Sequence, residues 1–331
     1  MKVPLLMNTV TNNTGIPLAL AVWVMHDEYD YINEPNYISV TQLMKPIRQI
    51  ILPKRVPPEL LATDVEDYVA SALGKSIHDS VEKAWLKGYK RNLAKLGYPP
   101  TLIDRVLVNP TDAVLAATPD GIPVYLEQRV TKNVDGHKVG GKYDLIAEGI
   151  IHDIKSTTAY TWLYGGRDED YIMQGSIYRW LNQDKVTEDF IRIVFVFTDW
   201  QKASAKQNPN YPQKRLEQKE LPLWSIEKTE QWIRAKLAQL EKYKDAEDQH
   251  IPECTDEELW KSDPKYKYYS DPTKVSGKST KNFDDAVEAR KYMANEKGGK
   301  GVIITVPGEV KRCEYCNAAP ICKQRERFLI K

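Results

Sequence analysis

The chain has 331 residues, of which 42% are hydrophobic and 10% aromatic, so it can bury one large core and an accessory unit besides. Its 47 basic and 46 acidic residues give a formal net charge of +1, which excludes a surface that is basic throughout. Any polyanion would have to follow a local basic stripe. The apolar run at 16–25 is too short for a membrane span and lacks the flanks of a secretory signal, which predicts a cytoplasmic protein.

Hydrophobic periodicity predicts helices and strands in alternation. Val69, Leu73, Ile77 and Val81 follow helical spacing, and 190–198 is a continuous apolar run typical of a buried strand. In chain order the predicted elements are a helix at 65–91, strands at 122–130, 138–147 and 149–157, a helix at 168–181, a strand at 190–198, a polar loop at 202–221, a strand at 265–270, a helix at 284–295 and a strand at 301–306. This order favours helices packed on a mixed sheet.

The segment 140–178 carries the strongest motif of the chain. Its three pieces are, in order, Gly140-Gly-Lys-Tyr-Asp144, His152-Asp153-Ile154-Lys155-Ser156 and Gln174-Gly-Ser-Ile-Tyr178. Glu148-Gly149 separates the first two, and glycine at the second position suits a two-residue turn with positive φ. In that register Asp144 lies opposite Asp153, and the alternation of side chains puts both on one face with Lys155.

Two converging carboxylates form an oxygen-rich site of the kind that Mg²⁺ or Mn²⁺ prefers. A metal ion there lowers the pKa of bound water, while a nearby lysine orients that water or offsets charge on a phosphate. Each piece is weak alone, because acid-x-Lys recurs at Asp263-Pro-Lys265 and Gln-x-x-x-Tyr recurs at Gln239–Tyr243, where ordinary ion pairs or helix-surface pairs explain them. Their joint order, with a second acid on the facing strand, indicates phosphodiester hydrolysis.

This combination resembles the PD-(D/E)XK nuclease superfamily, and within it the RecB-like branch that includes phage exonucleases. Four features match: a histidine on an early helix, an Asp in Gly-x-x-Asp, an acid-x-Lys pair, and Gln-x-x-x-Tyr on the following helix. The resemblance implies an α/β, restriction-endonuclease-like fold with a central mixed sheet flanked by helices. It also implies the catalytic residues Asp144, Asp153, Lys155, Gln174 and Tyr178, and the metal ligands His78, Glu127, Asp144, Asp153 and Ile154.

Two of these residues have ordinary alternative roles. His78 follows the apolar stripe of its helix by one position, where a lone histidine is more often a core or surface residue. Glu127 stands in a predicted strand, where it can equally be a solvated side chain. The metal role of both depends on the resemblance.

The resemblance further implies a Mg²⁺- or Mn²⁺-dependent exonuclease that acts on the ends of linear DNA in recombination, repair or phage replication, in a bacterial or phage-infected cell. A single-strand annealing or recombination protein is then the expected protein partner. Two alternatives stay open: a non-catalytic DNA-binding accessory protein and a structure-specific endonuclease. Three basic groups are candidates for the DNA path: Lys45, Arg48, Lys54 and Arg55; Lys83, Lys87, Lys90 and Arg91; and Arg312, Lys323, Arg325 and Arg327.

The four cysteines stand late in the chain, at Cys254, Cys313, Cys316 and Cys322. A cytoplasmic protein gains little from disulfides, whereas four thiolates complete a tetrahedral metal site. The compact triplet resembles the 4Fe-4S cysteine pattern of RecB-like nucleases such as AddB, although there the remote cysteine usually precedes the nuclease core. A 4Fe-4S cluster is therefore expected, with Zn²⁺ as the alternative and His250 as a substitute ligand.

Three domains are expected: an N-terminal extension at 1–60 that packs on the core, a nuclease core at 61–248, and an accessory domain at 249–331 held by the cysteines. Within the last, Ser276-Gly-Lys-Ser-Thr280 imitates a phosphate-binding loop. Pro272 stands where the first glycine is required, and no strong strand precedes the segment. Nucleotide hydrolysis is therefore rejected.

Overall fold

The computed structural model of the protein describes residues 10–329, which form two compact units. The first contains residues 10–45 and 61–241, and the second contains residues 46–60 and 242–329. A compact unit is not in itself a functional domain, so the three-domain division stays a prediction. Within the described part of the chain, no helix is long and apolar enough to cross a membrane.

The described strands are β1 (Val10–Thr11), β2 (Tyr37–Ser39), β3 (Thr63–Asp64), β4 (Val106–Val108), β5 (Ile122–Leu126), β6 (Arg129–Val134), β7 (His137–Lys142), β8 (Leu145–Ala147), β9 (Ile150–Thr157), β10 (Phe190–Phe197), β11 (Leu216–Pro222), β12 (Lys265–Tyr269), β13 (Lys281–Phe283) and β14 (Val302–Val306). The α-helices are α1 (Leu18–Val24), α2 (Val40–Leu43), α3 (Ile47–Ile51), α4 (Val69–Lys95), α5 (Pro100–Ile103), α6 (Asp112–Ala117), α7 (Ala159–Tyr164), α8 (Asp168–Leu181), α9 (Lys202–Gln207), α10 (Ile226–Tyr243), α11 (Ala286–Lys291) and α12 (Lys323–Leu329). Short 3-10 turns lie at Leu52–Arg55, Pro58–Leu60, Val65–Tyr68, Asp248–His250, Pro272–Lys274 and Arg312–Tyr315, and a π-helical turn lies at Tyr292–Glu296.

The centre of the first unit is a mixed six-stranded sheet in the order β11-β10-β9-β8-β5-β4. Strands β9 and β10 are parallel, as are β4 and β5, and the other neighbours are antiparallel. Ile151, Ile193 and Phe197 in its middle strands are completely buried, as continuous apolar runs predict.

Helices cover both faces of this sheet. Gly74 of α4 lies against Ser156 on one face, and Gly175 of α8 lies against Ile191 on the other. Ile191 of β10 pairs with Ile151 of β9, so their side chains point to the same face. Ile151 and Ser156 are an odd number of residues apart in β9, so their side chains point to opposite faces. The expected α/β class, a central mixed sheet flanked by helices, is therefore confirmed.

Two strands that were predicted as continuous are each divided between two sheets. The one at 122–130 breaks at Glu127, whose φ is 49°, and the one at 138–147 breaks between β7 and β8. The N–H of Glu127 donates to the carbonyl of Asp144 (3.0 Å) where the strands part. Beyond the break, β6 and β7 pair with β2 in a separate sheet in the order β2-β7-β6. The prediction was wrong because neither break contains Gly or Pro to mark a turn.

The hairpin expected from Glu148-Gly149 is confirmed. Glu148 has a φ of 53° and Gly149 of 76°, the two positive values that a type I′ turn requires. On either side β8 pairs with β9, with Leu145 opposite His152. The pairing ends there; extended by one residue, the register would bring Asp144 opposite Asp153, and the carboxylate of Asp144 accepts from the N–H of the next residue, Ile154.

The predicted helices of the first unit are present. Helix α8 has the predicted bounds, 168–181. The long helix begins as the 3-10 turn at Val65–Tyr68 and continues as α4 to Lys95. Asp64 and Asp67 fix its start in a capping box, in which each carboxylate accepts a hydrogen bond from a backbone N–H at the start of the helix.

The polar loop predicted at 202–221 is wrong. Lys202–Gln207 form α9, and Leu216–Pro222 form β11, the edge strand antiparallel to β10. Side chains of β11 alternate between exposed and half-buried. An edge strand with one wet face has too few apolar residues to be recognised as a strand in the sequence.

The second unit contains an antiparallel sheet in the order β13-β12-β14. The two predicted strands are present as β12 and β14, and the predicted helix is present as α11 with its π-helical continuation. Tyr268, Phe283 and Ala289 form a buried core, joined by Tyr292. Strand β13 was not predicted because two of its three residues are exposed and polar.

Candidate active site

Three side chains with metal-ligating atoms meet where the strands of the first unit change sheets. Asp144 precedes β8, Glu127 follows β5, and His78 projects from α4. His78 Nδ1 lies 3.3 Å from Asp144 Oδ1 and 3.7 Å from Glu127 Oε1. Among residues 10–329, this is the only group of at least three His, Cys, Asp or Glu residues whose ligand atoms all lie within 4.8 Å of one another.

Both carboxylates of this set are held in place. Asp144 Oδ2 accepts a hydrogen bond of 2.7 Å from the N–H of Ile154. Ile154 was also expected to be a metal ligand, and in the structure it contacts the site through this hydrogen bond. Glu127 Oε2 lies 2.9 Å from Lys142 Nζ. The positive φ of Glu127 is uncommon for a residue other than glycine, and strain of this kind is concentrated at functional sites.

A proton balances the charge of the set when no metal is bound. Burial lowers the pKa of His78, but hydrogen bonds and charge interactions with Asp144 and Glu127 outweigh burial and raise that pKa to about 10. The imidazolium therefore provides the positive charge between two carboxylates that a divalent cation would otherwise provide. Metal binding to His78 must release its proton.

Asp153 and Lys155 form a buried pair on β9 beside this set. Asp153 is 3% exposed, and its Oδ2 lies 2.7 Å from Lys155 Nζ without forming a hydrogen bond of good geometry. Burial raises the pKa of Asp153; the charge of Lys155 opposes this shift and that of Asp144 adds to it. Asp153 thus interacts with the metal-ligand set through its charge, although it is outside the group of atoms within 4.8 Å.

Gln174 and Tyr178 connect Lys155 to the second sheet. Lys155 Nζ donates to Gln174 Oε1 (3.4 Å), Gln174 Nε2 donates to the Tyr178 hydroxyl (3.4 Å), and that hydroxyl donates to the carbonyl of Lys142 (3.0 Å). Tyr178 is buried, and its ring lies so close to Gly141 that a Cβ there would be 2.5 Å from Cε1. Gln174 contacts the lysine directly, whereas Tyr178 acts as a support behind it.

An open cleft of about 520 Å³ contains the three-residue set. Sequence reasoning gave no role to its other lining residues, which are Glu28, Tyr29, Lys75, Asp79, Glu82 and Lys142. On α4, Lys75 lies three residues before His78 and Glu82 lies four residues after it, so all three share one face of the helix. Helical spacing around a candidate histidine was therefore the signal that could have found them. Glu28 and Tyr29 lie in irregular structure and have no such signal.

Ion pairs fasten the irregular segment 27–34 beside the cleft. They are Asp27 with Lys75 (3.2 Å), Asp30 with Arg129 (2.8 Å) and Glu34 with Lys138 (2.9 Å). Arg129 also lies over the ring of Tyr29, with Cζ 5.0 Å from the ring centroid. The partners are far apart in the sequence, so no local pattern predicts this arrangement.

The second unit holds the four cysteines as free thiols. Cys254 and Cys322 are buried, and Cys313 and Cys316 are half-buried. The side-chain amide of Gln324 accepts from the N–H of Cys254 (2.9 Å) and donates to its carbonyl (2.8 Å). This double hydrogen bond ties the remote cysteine to the C-terminal triplet.

A buried arginine lies beside these thiols. Arg48 is 3% exposed, pairs with Asp248, and places Nη1 3.7 Å from Cys322 Sγ. Burial raises the pKa of Cys254 to about 12, and the nearby Cys322 contributes to the shift. Uncompensated thiolates are therefore unfavourable here, and a bound metal centre would compensate them.

Comparison with known proteins gives no sequence match: no known family model and no curated protein matches this chain significantly. Solved structures that resemble it include SSO0001, with 17% identity and a TM-score of 0.38 over 63% of this chain and 78% of that one. They also include a phage-related exonuclease from Haemophilus somnus 129PT, with 16% identity and a TM-score of 0.27 over 52% of this chain and 80% of that one. Both TM-scores are below 0.5, so neither likeness carries a function over to this chain.

Proposed function

We propose that this protein is a Mg²⁺- or Mn²⁺-dependent deoxyribonuclease. The observation that carries the proposal is the His78–Glu127–Asp144 set beside the buried pair of Asp153 and Lys155. Two carboxylates and one imidazole fit a hard divalent cation that keeps several coordination positions for water and a phosphate oxygen. The open cleft leaves room for both.

The chain's own residues would divide the work. Asp144, Glu127 and His78 would hold the metal, which lowers the pKa of bound water and stabilises charge at phosphorus. Lys155, kept charged by Asp153 and held by Gln174, would orient the attacking water or neutralise the phosphate oxygen. Burial of Asp153 strengthens these electrostatic effects, because less water screens them.

Within this proposal the enzyme is an exonuclease that works on the ends of linear DNA in recombination, repair or phage replication, in the cytoplasm and alongside a single-strand annealing or recombination protein. The resemblance of its motifs to RecB-like nucleases supports these finer assignments. A non-catalytic DNA-binding protein would have no need for the intact Asp153–Lys155 pair. A structure-specific endonuclease is the alternative that experiment must distinguish from the exonuclease.

The test is digestion of end-labelled linear DNA and covalently closed circular DNA with Mg²⁺, Mn²⁺ or EDTA. We expect metal-dependent loss of linear DNA, no cleavage in EDTA and resistance of closed circles. Rapid nicking of the circles would replace the exonuclease by the endonuclease. Absence of any metal-dependent cleavage would reject the nuclease.

We also propose that Cys254, Cys313, Cys316 and Cys322 hold a 4Fe-4S cluster. The compact cysteine triplet supports this proposal through its likeness to the 4Fe-4S pattern of RecB-like nucleases. Two of the four thiols are buried, which suits a metal centre that compensates their charge. Zn²⁺ is the alternative, because a site of four thiolates suits either metal.

A further inference from the structure

Helix α7 exposes two tyrosine rings directly after the strand that carries Asp153 and Lys155. Tyr160 is 66% exposed and Tyr164 is 70% exposed, and their ring centroids are 4.6 Å apart with 38° between the planes. They stand four residues apart and so share one face of the helix. Their exposure means that core packing does not explain the choice of two aromatic side chains here.

The other side of α7 anchors the helix to the sheet. Trp162 packs edge-on against Phe195 (5.6 Å between centroids) and Phe197 (5.8 Å) of β10. The N–H of Ala159 donates to Asp199 Oδ1 (2.7 Å) just beyond β10. The tyrosines are therefore held outwards on a fixed support, which lowers the entropy lost when a ligand binds to them.

The tyrosine pair lies on the same side of the sheet as the candidate catalytic pair. Lys155 is the register partner of Phe195, and parallel partners point to the same face. Trp162 packs on that face, so α7 covers the part of the face that follows Lys155 along β9. Thr157, where β9 ends, is about 13 Å along the strand from Asp153. A nucleic acid strand bound at the cleft spans this distance in a few nucleotides.

Cations accompany the tyrosines at this edge of the sheet. Lys202 and Lys206 are exposed on α9, four residues apart, and neither forms an ion pair with any described residue. The carbonyl of Arg215 accepts from the N–H of Phe197 (3.0 Å), which places this arginine at the same edge. Two acids of this edge are engaged with backbone N–H groups: Asp199 accepts from Ala159, and Glu217 accepts from Lys214 (2.9 Å). The exposed lysines of α9 thus remain available to phosphate.

We propose that Tyr160 and Tyr164 form a stacking subsite for the unpaired bases of single-stranded DNA, with Lys202, Lys206 and Arg215 contacting its phosphates. Aromatic rings beside a positively charged path are how proteins bind single strands without sequence preference. Duplex DNA keeps its bases stacked inside the helix and cannot use the rings in this way. The proposal deepens the proposed function by assigning the substrate at this site as a single strand or a frayed end.

The test is binding, measured by fluorescence anisotropy with labelled oligothymidylate and with a labelled duplex, at fixed salt and in EDTA. We compare the full-length wild type with the Tyr160→Leu/Tyr164→Leu and Tyr160→Phe/Tyr164→Phe double variants. Tyr98→Leu, at another exposed tyrosine of the same unit, is the matched control. The leucine pair should weaken oligothymidylate binding about tenfold or more. Duplex binding, the phenylalanine pair and the control should stay within about twofold of the wild type.

Unchanged oligothymidylate binding by the leucine pair would overturn the proposal, as would an equal loss for the duplex. A loss in the phenylalanine pair would also overturn it, because the rings would then not be the binding groups. Thermal melting checks that the variants are folded. Binding in EDTA is measured without cleavage, so the two proposals can fail separately. A protein that binds through the tyrosines but cuts no DNA would support the stacking subsite and contradict the nuclease function.

Discussion

The two candidate metal sites of this protein differ in how their charge is balanced without metal. In the first unit, the imidazolium of His78 lies between Asp144 and Glu127, and Lys155 pairs with Asp153. In the second unit, Cys254 and Cys322 are buried thiols, and Arg48 contacts the sulfur of Cys322. If both proposed sites are correct, the first would fold without metal, whereas the second would gain stability from a bound metal centre.

The two candidate metal sites also differ in the secondary structure that positions their residues. Asp144 and Glu127 stand at the ends of strands in a sheet with its own buried core, which positions them independently of any ion. Cys313 and Cys316 lie in and beside a single 3-10 turn, and Cys322 lies just before α12. Metal removal should therefore abolish chemistry at the first site and loosen the fold at the second.

The largest expected effect is on catalysis. Asp144→Asn, Asp153→Asn and Lys155→Ala should each reduce DNA cleavage by about a hundredfold or more, because each removes a charge that the proposed reaction uses. The melting temperature should change little. Asp263→Asn, an exposed acid in an acid-x-Lys triplet outside the site, is the control and should cleave normally. Retained activity in any two of the three variants would reject the assignment.

The next effect is on stability and colour. Protein purified without oxygen should be brown, and Cys316→Ala should bleach it and lower the melting temperature by about 5 °C or more, further than Asp153→Asn does. Visible absorption, iron and zinc analysis and thermal melting measure this. Colourless protein with stoichiometric zinc would reject the cluster but keep the site. Full stability of all four Cys→Ala variants would reject the site as well.

Two arginines of the segment 46–60 provide a sharper comparison within the second unit. Arg48→Gln leaves Asp248 without its buried partner and should reduce the free energy of unfolding by about 3 kcal/mol. Arg55→Gln removes only exposed hydrogen bonds to the carbonyls of Lys244 and Ala246 and should cost about 1 kcal/mol or less. Chemical denaturation gives both values. Equal losses would mean that Arg48 has no special role beside the cysteines.

The smallest expected effect is a pH dependence of stability without metal. The pKa of His78 is raised above its unfolded value, so its stabilising charge is fully present below about pH 6.5 and is lost as the pH rises towards about 10. In EDTA, the stability difference between wild type and His78→Gln should therefore shrink with rising pH over this window. A difference that stays constant or grows would show that the charged ring does not balance the carboxylates.

Local chemistry accounts for the parts of the fold and site that the sequence predicted. The Glu148-Gly149 turn, the bounds of α8 and the pairing of β8 with β9 follow from turn preferences and side-chain periodicity. The break at Glu127 was missed because no Gly or Pro marks it, and because β2, which completes the second sheet by pairing with β7, lies far away in the sequence.

Contacts over long sequence distances account for the rest. The ion pair of Asp30 with Arg129 and the approach of Arg48 to Cys322 join residues that no local pattern relates. The edge strand β11 was predicted as loop because half of its side chains face water. Tyr160 and Tyr164 are evident only once α7 is known to expose them.

Manganese binding tests the central claim most directly. Titration of the metal-free protein with Mn²⁺, followed by electron paramagnetic resonance of the free ion, should show a binding site that is lost in Asp144→Asn and His78→Gln and kept in Asp263→Asn. Apparent affinity should also rise with pH below about 10, because the ion must displace the proton of His78. Mn²⁺ binding that is the same in the wild type and in both site variants would contradict the account.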